Sequence, residues 1–157
     1  MKYCSLLAGF AIVLSGCAST EVKVKPEDKI VGVWHLKDYG SGNYEYSQLG
    51  FTSTGRKCVV SVSMNGYGIP VLDYYDNTWK IKNGVLESTV GDSPSSSLPK
   101  GYLIKDNIKE LNANELVVQM DGYGSPLEKH QKLHGVNPER ICQLVENYAR
   151  LLKRNNT

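Results

Sequence analysis

Two histidines four residues apart, His130 and His134, are the pair whose spacing invites metal chemistry. On a helix an i, i+4 pair shares one face and can hold a zinc ion. On a strand the two side chains point the same way but stand roughly 13 Å apart, at about 3.3 Å per residue, too far for one ion. Leu127, Lys129 and Leu133 around them do not fix the period, and two surface histidines are expected. No pair among Cys4, Cys17, Cys58 and Cys142 has zinc-ligand spacing. No Gly-x-Ser-x-Gly nucleophile turn occurs. Asp73 and Asp76 flank Tyr74-Tyr75 but fall on opposite faces of a regular strand, whereas a catalytic carboxylate pair must converge. These patterns predict a protein that is not an enzyme, with no catalytic residues, metal or cofactor.

Cys17 has a different chemistry. A short positive region at Lys2 precedes the apolar run Leu6–Leu14, which has signal-peptide length and cannot span a bilayer. The run ends in Leu14-Ser15-Gly16-Cys17, which resembles the lipobox of bacterial lipoproteins. The resemblance implies a signal peptide over residues 1–16, cleavage before Cys17 and acylation of its thiol. It also implies anchoring to a membrane, since two or three acyl chains hold a protein stably where one does not. Ala18, rather than Asp, after the cysteine points by the same resemblance to the periplasmic face of the outer membrane. With Cys4 removed and Cys17 acylated, Cys58 and Cys142 remain in an oxidising compartment. They can stay as free thiols or close one disulfide, and the disulfide is the expectation taken forward.

Composition bounds the rest. The chain has 157 residues, enough for one domain, with 41% apolar and 22% charged residues, a balance that suits a folded domain rather than disorder. The formal charge is +2, and removal of the signal peptide takes away only Lys2. A charge so near zero gives no electrostatic footprint for nucleic acid.

Residues 17–29 are polar and read as a lipidated tether, with the domain over 30–155. Period-2 texture bounded by turn residues predicts strands over Ile30–Lys37, Tyr44–Phe51, Arg56–Met64, Ile69–Ile81, Val85–Gly91, Tyr102–Leu111, Glu115–Asp121 and Leu127–His134. Asn83-Gly84 marks a two-residue hairpin. Over residues 136–155 the period changes: Asn137 can cap a helix, and Ile141, Leu144, Val145, Tyr148, Leu151 and Leu152 form one apolar stripe, expected to pack on a barrel wall. Eight antiparallel strands and a helix predict a closed up-and-down barrel, because closure removes exposed edges.

Gly32-Val33-Trp34, Phe51-x-x-x-Gly55 and Trp79–Leu86 resemble the Gly-x-Trp strand and later segments of small bacterial lipocalin-like domains, over roughly residues 30–134. The resemblance implies a mainly β, eight-stranded lipocalin-like barrel with Trp34 closing its narrow end. The Thr-Asp-Tyr type signature found further along true lipocalins does not occur. Alternation predicts an interior containing Trp34, Tyr75, Trp79, Met64 and Met120.

In an up-and-down barrel successive loops alternate between ends. Three turns, Thr52–Gly55, Asn83-Gly84 and Asn112–Asn114, are tight, whereas the loops at the other end are Gly- and Tyr-rich. Two of those loops share a motif: Asn65-Gly66-Tyr67-Gly68-Ile69-Pro70 and Asp121-Gly122-Tyr123-Gly124-Ser125-Pro126. Turn chemistry explains the glycines and prolines but not the repeated tyrosine. The expected functional surface is therefore an open rim carrying Tyr39, Tyr44, Tyr67, Tyr102 and Tyr123. The function expected is a lipid-anchored module whose barrel binds a small apolar or amphipathic ligand. The alternative is an envelope interaction or assembly factor, or an inhibitor, acting through the rim on a protein partner.

Overall fold

The computed structural model describes residues 25–39, 44–91, 98–122 and 124–155. The expected signal peptide, Cys17 and most of the expected tether lie outside them. Residues 26–30, expected as tether and strand start, instead form a short helix, α1 (Pro26–Ile30). Pro26 and the acidic Glu27 and Asp28 suit its first turn, and Lys29 its last. The turn aims Ile30 inward, where it is fully buried.

Eight antiparallel strands follow: β1 (Gly32–Tyr39), β2 (Tyr44–Phe51), β3 (Arg56–Met64), β4 (Pro70–Lys82), β5 (Val85–Val90), β6 (Leu103–Leu111), β7 (Glu115–Met120) and β8 (Leu127–Leu133). Each pairs with its neighbour in sequence, and β8 returns to β1, so the sheet closes into a barrel. A helix, α2 (Glu139–Asn155), packs on its wall against β2, β3 and β4. This is the mainly β, closed eight-stranded antiparallel barrel with a packed C-terminal helix that the sequence implied. Local chemistry sets the closed end. Asn83 and Gly84 take φ values of 52° and 77°, the left-handed pair a tight hairpin needs. Asn112 Oδ1 accepts hydrogen bonds from the amides of Asn114 and Glu115, both at 2.8 Å.

The Gly-x-Trp segment has a physical account here. Trp34 is fully buried, and its indole Nε1 donates to the Ile30 carbonyl at 2.7 Å, tying α1 across the barrel end. The Lys132 ammonium sits 5.0 Å from the Trp34 ring centroid and donates to the Lys29 carbonyl at 2.8 Å. Its aliphatic stem crosses Gly32, where an added Cβ would fall 2.7 Å from Lys132 Cε. Glycine is also suited to the φ of 140° found there. Beyond this seal, Ile30, Trp34, Phe51, Leu86 and Leu116 form an apolar plug, with the Trp79 ring edge-on to Phe51.

A second apolar cluster lies outside the barrel. Val33, Cys58 and Tyr74 on the wall meet Ile141, Cys142 and Val145 of α2. Cys58 and Cys142 form a disulfide, with Cα atoms 5.0 Å apart. The Arg56 guanidinium donates to Asp76 at 2.9 Å and to Glu146 at 3.0 Å, joining β3, β4 and α2. Asn137 Oδ1 accepts from the Glu139 amide at 3.0 Å and caps α2. The predicted stripe is only partly used: Ile141 and Val145 are buried, whereas Leu144, Leu151 and Leu152 are exposed.

The disulfide corrects one assignment. Cys58 faces α2, so alternation puts Val60, Val62 and Met64 on the outer face of β3 as well. Met64, expected inside the barrel, stands on this outer face and is 42% exposed. The inner face of β3 carries Lys57, Val59 and Ser61 instead.

Candidate functional site

That inversion of β3 determines the chemistry of the interior. A cavity of about 160 Å³ opens at the end of the barrel opposite the tight turns. Its apolar walls include Leu36, Tyr75, Ile104 and Met120. Its floor, on the plug, is polar: Lys57, Asn77, Asp106, Glu128 and His130 all line it.

Each polar side chain is delivered by strand alternation. Lys57 on β3 and Asp106 on β6 both point inward and are buried, with Nζ and Oδ2 3.7 Å apart. Lys57 Nζ also donates to Ser88 Oγ at 3.3 Å and lies 5.6 Å from the Phe51 ring centroid. Glu128 and His130 are two residues apart on β8 and share its inner face, with His130 Nε2 3.2 Å from Glu128 Oε2. Removal from water pushes the Asp106 carboxyl above its usual range, outweighing the opposing pull of Lys57.

Two acceptor-capable atoms in this layer are buried without a hydrogen-bond partner: Asn77 Oδ1 and His130 Nδ1. Their side chains are almost completely enclosed, with relative exposures of 3% and 2%. His130 is therefore an interior residue, correcting the expectation of two surface histidines. His134 is exposed, with Nε2 2.9 Å from Asn114 Oδ1. Among the described residues no group of three or more His, Cys, Asp or Glu side chains is arranged to hold a metal ion.

Above the polar floor the mouth is apolar. Tyr67, Ile69 and Tyr102 are exposed in the loops at this end, beside the half-exposed Met120 that lines the cavity, whereas Leu72, Leu103 and Leu127 are exposed on the outward faces of their strands. Tyr67 is 90% exposed. Its loop is fixed by Asn65 Oδ1, which accepts from the Tyr67 and Ile69 amides, both at 3.0 Å. Of the other predicted rim residues, Tyr102 enters β6 and is exposed. Tyr39 and Tyr44 end β1 and begin β2, but their side chains lie outside the described residues, as does Tyr123 altogether. Trp34, Tyr75 and Trp79 belong to the interior, and Met120 lines the cavity.

The residues that the sequence left unassigned are Lys57, Asn77, Asp106 and Glu128, and His130 was expected at the surface. Strand parity was the available signal. A disulfide from Cys58 to a helix outside a closed barrel requires Cys58 to face outward, which turns Lys57 inward.

No family model and no curated protein matches this chain. Among solved structures it is similar to a lipocalin-like protein from Bacteroides uniformis, with 13% identity over 67% of this chain and 99% of that one and a TM-score of 0.42. It is also similar to an uncharacterized protein from Bacteroides eggerthii, with 18% identity over 66% of this chain and 98% of that one and a TM-score of 0.40.

Proposed function

We propose that this protein is a non-enzymatic binding module that takes a small amphipathic ligand into the barrel mouth, polar end first. It acts from a lipid anchor at Cys17 on the periplasmic face of the outer membrane. The observation that carries the binding role is the layering of the interior: an apolar plug, a polar floor with two unpartnered buried atoms, and an apolar rim. A buried polar atom without a partner costs about 1–3 kcal/mol, which a complementary ligand group recovers. A wholly apolar ligand would deepen that cost.

Size sets the mode of binding. A cavity of about 160 Å³ is below the roughly 300–1,000 Å³ typical of pockets that enclose a drug-sized molecule. It accepts a head group and the first part of a chain, leaving the remainder against Met120 and the rim. Native mass spectrometry of the full lipoprotein extracted from its own membrane tests this role. One bound small amphiphile, released when the barrel unfolds, is expected. A bare protein under conditions that preserve the fold would count against ligand binding. The exposed Tyr67 and Ile69 favour a second role, in which the rim docks on an envelope protein.

A further inference from the structure

We infer that the head group received by this barrel is a cationic hydrogen-bond donor, an alkylammonium, seated among Asn77, Asp106, Glu128 and His130. This inference rests on the ligand-binding role proposed above and adds the chemistry of the head.

The floor is short of charged donors. Lys57 is the charged donor among the described residues of the floor, and it is engaged: Nζ donates to Ser88 and lies beside Asp106. When His130 Nε2 carries the proton it donates to Glu128 Oε2, which leaves Nδ1 an acceptor. Nδ1 has no partner, and neither does Asn77 Oδ1. Both side chains line the cavity and both are nearly fully buried. The atoms awaiting partners are thus acceptors, and an ammonium supplies three N–H donors.

Charge favours the same head. Asp106 and Glu128 put two carboxylates in the cavity lining against the single ammonium of Lys57. A carboxylate or phosphate head would bring a third anion beside them, where the Lys57 ammonium is already engaged. Burial already holds the Asp106 carboxyl above its ordinary range in spite of Lys57, and a second cation would stabilise its charged form. A neutral hydroxyl head would satisfy one acceptor without relieving this imbalance.

The test uses three probes with one tail: octylamine, 1-octanol and octanoate, titrated into the full chain near neutral pH. Binding is read by calorimetry and by the NMR signals of the His130 ring, which report on the cavity. Octylamine, protonated at this pH, is expected to bind at least about tenfold more tightly than octanoate, a step of about 1.4 kcal/mol, with octanol between them. Binding without a preference for the amine would overturn the ammonium assignment and leave the mouth a ligand site. Failure of all three to perturb His130 would overturn the assignment and the ligand-binding role together. The variant Glu128→Gln keeps the side-chain shape and removes one charge. It is expected to weaken octylamine about fivefold or more and leave octanol within about twofold, since hydrogen bonds to charged partners are roughly twice as strong as neutral ones. Equal effects on the two probes, or none on either, would overturn the role of charge.

Discussion

Lys57 Nζ and Asp106 Oδ2 face each other inside the barrel at 3.7 Å, close enough to attract but longer than a good charge-assisted hydrogen bond. The pair therefore recovers only part of what burial costs its carboxylate, and the Asp106 carboxyl is pushed above its ordinary range. A raised folded-state value means that the native protein binds this proton more tightly than the unfolded chain does. The contribution of Asp106 to stability is thus fully present below the ordinary aspartate value of about 3.9 and is lost as pH rises through the raised value. Asp106→Asn keeps a polar partner for Lys57 and removes the titration. Chemical melts of both proteins across acid to neutral pH should show the wild type losing stability relative to the variant as pH rises. Parallel curves would show that Asp106 does not titrate differently in the folded state.

The disulfide is expected to contribute substantially to stability. Cys58 and Cys142 are separated by 84 residues, and closing a loop of that length stabilises by up to about 4.5 kcal/mol on the chain-entropy model. Replacing both cysteines with serine should lower the unfolding free energy, read from denaturant melts, by an amount approaching that figure. The Arg56 links to Asp76 and Glu146 should keep α2 docked at low denaturant, so the helical circular dichroism of the folded variant should match that of the wild type. A variant as stable as the wild type would refute the contribution.

Gly50 lies close beneath the start of α2. A Cβ there would lie 2.8 Å from the Pro138 carbonyl oxygen and 2.9 Å from Ile141 Cβ, neither of which is the end of a flexible side chain. Gly50→Ala should cost about 1–3 kcal/mol by overpacking. Gly66→Ala meets nothing within 4 Å and should change stability by less than about 0.5 kcal/mol. Paired thermal melts distinguish the two positions, and equal effects would place the crowding elsewhere.

Legibility followed the kind of burial. Strand number, the hairpins and closure could be read from the sequence because turn residues and period-2 texture are local signals. The floor of the cavity could not, because an apolar face normally identifies the inside of a barrel. In β3 both faces are covered: Val59 packs inside, whereas Cys58 and Val60 pack beneath α2. The more apolar face, ending in Met64, is therefore the outer one. His130 was misplaced for the converse reason, since Glu128, Lys129, Gln131 and Lys132 surround it with the composition of a surface strand. α1 was hidden by its length, as one helical turn has no periodicity to read.

The lipid anchor is tested by Cys17→Ser. The apolar run, the small residues before the cysteine and the thiol are what the proposed modification rests on. The variant should accumulate as an uncleaved or mislocalised precursor and take up no radiolabelled palmitate. Normal labelling would place the acyl chains on another residue.

The rim separates the two proposed roles. If a bound amphiphile enters polar end first, its chain emerges past Met120, which lines the cavity and is 46% exposed. Lengthening the chain of one head group should then strengthen binding by up to about 0.8 kcal/mol for each methylene buried, and level off once the chain clears the rim. Met120→Ala should flatten the later part of that series and leave the shortest members unchanged, because they do not reach it. Tyr67 serves as the contrasting position. It stands well clear of the cavity lining on a loop held by Asn65, so Tyr67→Ala should alter stability by less than about 0.5 kcal/mol. Its effect on the longest chains then reports whether the ligand folds over the rim. A series of homologous amphiphiles titrated into the wild type and both variants by calorimetry supplies every comparison. Affinity independent of chain length would show that no chain lies on the rim. The exposed side chains of Tyr67 and Ile69 would then be free for a protein partner, and loss of that partner on Tyr67→Ala, with the fold intact, would be the expected consequence.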